Sequence, residues 1–134
     1  MWLKGTGKLI YNPNRPGMKK VQRLSPWWLI VDVDNNIGKY YRYWIQRQWG
    51  FVLQAPTWGT HITLSNDRDV ISPKFQHHWK KFQGKNIEFE YSVVIEQHWK
   101  FFVLPTRCER FNEIRHELGI FHDHPFHITI GRMD

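Results

Sequence analysis

The triplet His-Ile-Thr occurs twice in this sequence, at residues 61–63 and again at residues 127–129. Because successive side chains of an extended strand point to opposite faces, the histidine and threonine of each triplet share one face and the isoleucine takes the other. Each triplet is followed by another apolar residue, Leu64 or Ile130, and then by polar or glycine residues typical of a strand end. The repeat therefore predicts two short strands, here called the HIT strands, each with one packing face and one chemical face.

Two HIT strands lying side by side would bring two imidazoles and two hydroxyls into one small volume. An imidazole titrates near neutral pH, so His61 and His127 can act as a base for an attacking hydroxyl and an acid for a leaving oxygen. The hydroxyls of Thr63 and Thr129 can donate hydrogen bonds to the non-bridging oxygens of a phosphate. Together they predict phosphate-ester cleavage that needs no metal ion. The alternative is two unrelated core strands, since the chain has eight histidines and the bare pattern also arises by chance.

Composition favours a single domain with a phosphate-rich partner. The chain has 134 residues, of which 41% are hydrophobic, so it can bury one core and disorder is not expected. Its net charge of +7 favours phosphate binding, although a solvated basic face would give the same count. Eight tryptophans exceed what the packing of a small core requires, so a few of these rings are expected to contact flat ligands.

Cysteine and histidine usage limits the other kinds of site. The single Cys108 excludes an internal disulfide and a cysteine-based zinc cluster, and its spacing reveals no partner that would activate it as a nucleophile. A metal site at His122, His124 and a third ligand is the competing use of histidine, against a polar loop beside the phosphate site. We expect no metal and no other cofactor.

The N-terminal residues lack the apolar segment and cleavage site of a signal peptide, and no apolar run is long enough to span a membrane. We therefore expect a cytoplasmic protein without a membrane partner. One free cysteine is compatible with that reducing compartment.

Hydrophobic periodicity predicts an α+β fold with mixed or antiparallel sheets and helices packed outside. Besides the HIT strands, we expect strands at 9–11, 27–34, 51–55, 86–95 and 99–104, with a turn at Gln97 and His98 and Pro105 closing the last hairpin. We expect helices from Ile37 or Gly38 to Trp49, from Pro73 to Phe82 and from Cys108 to Leu118, with Gly50, Gly84 and Gly119 as their stops. Residues 1–134 should form one catalytic domain of two lobes, each lobe contributing one HIT strand.

The opening residues 1–23 carry several basic side chains and no acidic one. After a short strand ending at Tyr11, turn formers from Asn12 to Gly17 predict a mobile basic loop. This loop is the expected lid over a ligand. The spacing of Gly5 and Gly7 does not match a Walker-type phosphate loop and indicates phosphate binding only weakly.

Four segments carry a resemblance to a known family. The paired His-x-Thr motifs resemble those of the 2H phosphoesterase superfamily. Together with WLKGTGK near the start, YYRYW, PTWGTHIT and the terminal FHITIG, they look most like the phage-encoded anti-CBASS phosphodiesterases, a branch earlier described as RNA-repair-like. The segments lie at both ends and in the centre of the chain, and the HIT pair is the most specific of them.

The resemblance implies a bilobal fold with the site in a cleft between the lobes. It implies metal-independent cleavage of cyclic di- or trinucleotide second messengers, cGAMP among them, in the cytoplasm of an infected host. A ribose 2′-hydroxyl would attack the neighbouring 3′-5′ phosphodiester and give a 2′,3′-cyclic phosphate. His61 and His127 would be the acid–base pair, and Thr63 and Thr129 the phosphate ligands. The biological effect would be to blunt antiviral signalling.

Further residues are candidates for contacts with the rest of a nucleotide. Tyr11 and Trp58 are proposed to stack on bases, with core packing as the alternative. Lys4 and Arg15 are proposed to meet a second phosphate or a base edge, with a solvated surface as the alternative. Arg132 follows the second HIT strand and has the same two interpretations.

Two other functions fit the same residues. An enzyme that opens 2′,3′-cyclic phosphates at RNA ends, or a tRNA-repair phosphoesterase, would keep the chemistry and change the substrate. A non-catalytic sponge would bind nucleotides without cutting them. The presence of both histidines and both threonines argues against the sponge, because pure binding does not require two titratable groups.

Overall fold

The computed structural model describes residues 1–13, 27–66 and 68–134. Arg15 and nearly all of the predicted basic lid lie outside the described residues. The described residues contain seven strands, two α-helices and one 3-10 helix. In chain order these are β1 (Trp2–Tyr11), β2 (Leu29–Val33), α1 (Asn35–Trp49), β3 (His61–Ser65), the 3-10 helix (Pro73–His78), β4 (Asn86–Ser92), β5 (Glu96–His98), β6 (Phe101–Arg107), α2 (Glu109–Glu117) and β7 (His127–Arg132).

All seven strands belong to one sheet in the order β4-β1-β2-β3-β7-β6-β5, and every pairing between them is antiparallel. Because β4 also pairs with β6, six of the strands close into a barrel and β5 extends it from β6. Helix α1 lies against β7, and α2 lies against β3. The α+β class and the antiparallel sheet are confirmed, whereas the division into two lobes stays a prediction.

A row of apolar side chains crosses the middle of the sheet and forms the centre of the core. The antiparallel registers align one residue from each of five neighbouring strands, and each of them is at most 3% exposed: Leu9, Val31, Ile62, Ile128 and Leu104. Full burial of one such side chain contributes about 1.5–3 kcal/mol relative to leaving it in water. Both HIT isoleucines are in this row, so packing of the core fixes the register in which β3 and β7 pair.

Helix α1 begins and ends where local signals place it. The side chain of Asp34 accepts a hydrogen bond from the backbone N–H of Asn36 at 2.9 Å, which satisfies one of the free donors of the first turn. At the other end Gly50 takes the left-handed conformation, with φ of 76°, and its N–H bonds to Gln46. The buried face is Gly38, Tyr41 and Ile45. The helix is confirmed, with its start at Asn35 rather than at Ile37 or Gly38.

No helix within the described residues is both long and apolar enough to cross a membrane.

The predicted turn at Gln97 and His98 is wrong. Both residues lie in β5, where His98 is opposite Phe101, and the chain turns at Trp99 and Lys100 instead. All three residues of β5 are exposed. A short edge strand in water has no need of apolar residues, so its polar sequence looks like a turn.

Pro105 does not close a hairpin but lies inside β6, opposite His127. On the side away from β7, β6 pairs with β5 up to Val103 and with β4 from Thr106 onward. Pro105 falls between those two partners. The N–H of Thr106 points toward β7, where it bonds to the carbonyl of Phe126, so the proline nitrogen faces the unpaired side and its missing N–H is tolerated.

Several other boundaries differ from the prediction. Residues 51–55 contribute only an isolated bridge at Gln54, β4 ends at Ser92 rather than at residue 95, and β6 begins at Phe101 rather than at residue 99. Strand β1 begins at Trp2 rather than Leu9 because it pairs with β4 along most of its length, so Gly5 and Gly7 belong to a strand and not to a loop. The helix predicted from Pro73 to Phe82 is a 3-10 helix that ends at His78. Hydrophobic periodicity does not reveal which distant segments pair as strands. It also does not distinguish a short 3-10 helix from an α-helix.

We expect Ile128→Ala to lower the free energy of unfolding by about 2–5 kcal/mol, because it leaves a cavity at the centre of the apolar row. Denaturation by urea at neutral pH would measure the change. As a control, Val70→Ala removes methyl groups from a side chain that is 81% exposed and should cost less than about 0.5 kcal/mol. Equal effects of the two substitutions would contradict the assigned register.

Candidate active site

The two HIT strands are neighbours in the sheet. Strand β3 pairs with β7 through Ile62 and Ile128, which lie opposite each other. In an antiparallel pair this register sets His61 beside Thr129 and Thr63 beside His127. Both isoleucines are fully buried, while the flanking histidines and threonines are partly exposed. The prediction that each isoleucine packs in the core while its histidine and threonine share the other face is therefore confirmed for both triplets.

Three of the four HIT side chains line a pocket of about 300 Å³, which we call the HIT pocket. Its walls are two tryptophans, three histidines and three other residues: Trp28, Trp58, His61, His124, His127, Thr63, Asn66 and Pro125. Thr129 is placed next to it by the register with His61. This volume is at the low end of the about 300–1,000 Å³ typical of ligand pockets, so it fits a phosphate and part of a sugar better than a whole dinucleotide.

His61 is oriented by its own loop. Its Nδ1 lies 2.9 Å from the carbonyl oxygen of Gly59, and a carbonyl can only accept, so Nδ1 carries the hydrogen. The neutral ring then has its lone pair on Nε2. Trp28 packs edge-on to the ring, with 6.4 Å between ring centroids. This tautomer suits a general base.

His127 lies among other imidazoles. Burial lowers its pKa below the ordinary value of 6.5, and the nearby positive charge of protonated His98, His124 or His61 lowers it further, while Glu96 opposes the shift. The ring of His98 is 6.1 Å from that of His127. The free pocket therefore favours a neutral His127. A phosphate anion next to the ring would shift the balance toward the protonated acid.

His98 is a residue near the pocket that the sequence did not identify, whereas His124 lines the pocket as its predicted place in a polar loop beside the phosphate site implies. His98 was placed in a turn, but β5 brings it beside His127, and its Nε2 lies 3.0 Å from Glu96 Oε1. His124 donates from Nε2 to the carbonyl of Thr63 at 3.1 Å. The alternation Glu96-x-His98 was the one available signal for a strand with both side chains on one face.

The histidines of the competing metal hypothesis have other contacts. Arg115 Nη2 lies 3.2 Å from both the ring Nε2 and the carbonyl oxygen of His122. Burial and the charge of Arg115 lower the pKa of His124. A guanidinium beside both rings disfavours a metal cation there. Across the described residues there is no group of three or more His, Cys, Asp or Glu side chains arranged to hold a metal ion.

Of the predicted substrate-binding residues, one lines the HIT pocket, two lie elsewhere, and Arg15 is outside the described residues. Trp58 lines the HIT pocket. Tyr11 does not: it is 4% exposed and packs edge-on against Trp79 in the core, so its core-packing alternative holds. Lys4 is exposed and lies 3.7 Å from Glu88 rather than at the HIT pocket.

Arg132 lies at the end of β7 and donates to Gln54 Oε1 at 3.3 Å, in a part of the surface that is not in the HIT pocket. Its backbone N–H and carbonyl also pair with Gln54. Arg132 therefore holds the segment after α1 against the sheet. Arg15 lies outside the described residues.

Two larger pockets adjoin the HIT pocket. One, of about 690 Å³, shares Trp58 with it and includes the start of α1 together with Lys8, Asp32 and Asn86. The other, of about 820 Å³, shares His124 and Pro125 with it and includes the start of α2. A ligand with a phosphate in the HIT pocket thus has room to extend in both directions.

Acidification from about pH 7.5 to about pH 5 should lower the free energy of unfolding. The folded chain holds the pKa of His124 and His127 below the unfolded value, so the unfolded chain binds these protons first. The stability associated with the two neutral rings is lost as the pH falls from about 6.5 through the folded pKa values.

The variant His127→Gln should show a smaller pH dependence of the free energy of unfolding, measured by urea denaturation at both pH values. The exposed His77→Gln serves as the control and should keep the dependence of the unmodified chain. An unchanged dependence in His127→Gln would contradict the assigned burial of this ring.

The chain matches no protein-family model, no curated protein and no solved structure. The resemblance to the 2H phosphoesterases therefore stays a prediction from the motifs alone.

Proposed function

We propose that this protein is a metal-independent phosphodiesterase that cleaves 3′-5′ bonds of cyclic di- or trinucleotides. The observation that supports this most is the antiparallel pairing at Ile62 and Ile128, with a histidine beside a threonine on either side of it. This arrangement offers a base, an acid and two hydroxyl donors to a single phosphate.

In the proposed reaction, His61 Nε2 takes the proton from a ribose 2′-hydroxyl as that oxygen attacks the neighbouring phosphorus. The bond from phosphorus to the 5′-oxygen breaks, and protonated His127 donates its proton to that oxygen. The product is a 2′,3′-cyclic phosphate with a free 5′-hydroxyl. The bound phosphate offsets the low pKa of His127, because its negative charge stabilises the imidazolium. The two histidines exchange roles in the reverse step.

Thr63 and Thr129 are proposed to donate to the non-bridging oxygens, on which negative charge increases in the transition state. Each threonine is opposite a buried aliphatic residue on the outer neighbouring strand, Ile30 for Thr63 and Val103 for Thr129, and both of these are at most 1% exposed. A rigid apolar neighbour limits movement of the hydroxyl-bearing strand.

Substrate size follows from the two adjoining pockets. A diester with a nucleoside on each side of the phosphate would use both of them, and Trp58 stands between the HIT pocket and the pocket at α1. The net charge of +7 favours a polyanion. We include in this proposal the two-lobe arrangement, an antiviral-signalling target and a location in the cytoplasm of an infected host.

The decisive experiment incubates the purified protein with cyclic dinucleotides, cyclic trinucleotides and an RNA ending in a 2′,3′-cyclic phosphate, all in EDTA. We expect turnover of a cyclic oligonucleotide to a 2′,3′-cyclic phosphate product, resolved by chromatography and mass. The variants His61→Ala and His127→Ala should lose at least about 100-fold in kcat. Exposed His77→Ala is the control for histidine loss.

Each alternative has its own result in this experiment. Cleavage confined to the RNA end would favour the repair enzyme, and tight binding without turnover would favour the sponge. Loss of all turnover in EDTA would contradict the metal-free mechanism. A deoxyribose analogue that is cut as fast as the ribose substrate would exclude attack by the 2′-hydroxyl.

Trp58→Ala should raise KM about 5- to 150-fold with a smaller change in kcat, because loss of one base-stacking ring costs about 1–3 kcal/mol. Steady-state kinetics on the best cyclic substrate would measure both constants. Tyr43→Ala removes a 62% exposed ring from α1 and should leave KM unchanged. Equal KM values for the two variants would remove Trp58 from the binding site.

A further inference from the structure

The two HIT strands contain the same irregularity at the same position. Between β2 and β3, Leu29 is opposite Ser65 and Ile30 is opposite Thr63, which leaves Leu64 without an opposite residue. Between β6 and β7, Phe102 is opposite Gly131 and Val103 is opposite Thr129, which leaves Ile130 without one. Each HIT threonine is therefore followed directly by a β-bulge, a feature that bends a strand and redirects its side chains.

A bulge takes a carbonyl out of the strand ladder, and here each one is bound by an arginine. Arg115 Nη1 donates to the carbonyl of Leu64 at 2.6 Å, and Arg42 Nη1 donates to the carbonyl of Ile130 at 2.7 Å. Both bonds are charge-assisted. A buried carbonyl without a hydrogen bond raises the free energy of the folded state, so these two bonds stabilise the bulged conformation.

The arginines come from the opposite halves of the chain. Arg42 is on α1, which precedes β3 in sequence, yet it supports β7. Arg115 is on α2, which precedes β7, yet it supports β3. Each half of the chain thus holds the HIT strand of the other half.

Neighbouring groups hold each guanidinium in place. Arg115 is 2% exposed, and Asp69 lies 3.9 Å from its Nη1. Asp69 also accepts from the backbone N–H of Asn66, a residue of the HIT pocket, at 3.0 Å. His124 bonds to the carbonyl of Thr63, next to the bulge. Arg115 is therefore connected to the pocket wall as well as to the strand.

Arg42 lies between two glycines. A Cβ added at Gly38, one helical turn earlier, would come within 2.8 Å of Thr60 Oγ1 and 2.9 Å of Arg42 Nη1. A Cβ at Gly131 would meet Gln54 O at 2.8 Å, Leu53 Cβ at 2.9 Å and Arg42 Cδ at 3.3 Å, so both glycines lie in tightly packed places that include Arg42. Burial lowers the pKa of Arg42, as it does for Arg115. The guanidinium of Arg42 is partly removed from water, and the residues next to it leave space for its side chain. An arginine on the open surface would need neither.

We propose that Arg42 and Arg115 are positioning residues, each of which fixes the HIT strand of the opposite half by binding the carbonyl of its bulge. Neither one touches the substrate. Arg42 acts through Ile130 on Thr129 and His127, and Arg115 acts through Leu64 on Thr63 and His61. This inference rests on the proposed function for its kinetic consequence but not for its structural one.

The test uses Arg42→Lys and Arg115→Lys in the full chain and reads backbone and imidazole NMR signals as well as kinetics. A lysine keeps the charge but lacks the planar fork of donors. Arg42→Lys should shift the signals of Thr129 and His127 more than those of Thr63 and His61, and Arg115→Lys should do the reverse. The exposed arginines Arg47 and Arg110, changed to lysine, serve as controls on the same two helices and should shift none of these signals.

On a substrate that the unmodified protein cleaves, Arg42→Lys and Arg115→Lys should each lower kcat about 10- to 100-fold, because a small misplacement of reacting groups has effects of this size. KM should change less than about threefold, since no contact with substrate is removed. Loss of stability with unchanged kcat and unchanged HIT signals would overturn the proposal, as would shifts confined to the strand of the same half. If the unmodified protein turns over none of the substrates, the proposed function fails and the NMR pattern still decides this inference.

A second variant covers the case in which an arginine variant does not fold. Gly38→Ala keeps Arg42, but the added Cβ would come within 2.8 Å of Thr60 Oγ1 and 2.9 Å of Arg42 Nη1, so it displaces the guanidinium and also presses on the residue before His61. Alanine favours a helix more than glycine does. The variant should remain folded and reproduce the Thr129 and His127 shifts of Arg42→Lys, together with a shift at His61 that comes from Thr60. A folded Gly38→Ala protein with unshifted signals would contradict the role of Arg42.

Discussion

The contact between Ile62 and Ile128 is the interaction on which the rest of the structure depends. It joins the two halves of the sheet through the strands that carry the chemical side chains. Both isoleucines are fully buried, so a one-residue slip of either strand would expose an apolar side chain and bury an imidazole and a hydroxyl. The hydrophobic effect that builds the core therefore also sets which histidine faces which threonine. Burial of these two isoleucines thus both stabilises the fold and sets the geometry of the site.

The electrostatics of the pocket suit an anion that arrives from solution. Three imidazoles, those of His61, His98 and His124, lie close to His127, and burial together with their positive charge when protonated lowers the pKa of His127. A phosphate would supply the missing negative charge and draw a proton onto one of them. The orienting bond from His61 to Gly59 keeps the other ring in the tautomer of a base. One cluster can thus provide both protonation states at neutral pH.

Local patterns predicted the elements whose causes are local. The alternation of each HIT triplet gave the strand and its two faces, and Gly50 gave the end of α1, because a left-handed residue stops a helix regardless of its surroundings. The predictions failed where a distant partner decides. Gln97 and His98 form an edge strand only because β6 lies beside them, and Tyr11 is buried where distant residues such as Trp79 pack on it. No window of sequence contains those neighbours.

The sequence by itself determined the four side chains of the site and the face of the strand on which each one lies, because strand periodicity is a property of the backbone. Only the tertiary structure decided that the two HIT strands pair antiparallel, that both are bulged after the threonine, and that His98 lies beside His127. It also decided that each bulge is held by an arginine from the other half of the chain. These features are contacts between residues far apart in sequence, and packing of the whole core selects them.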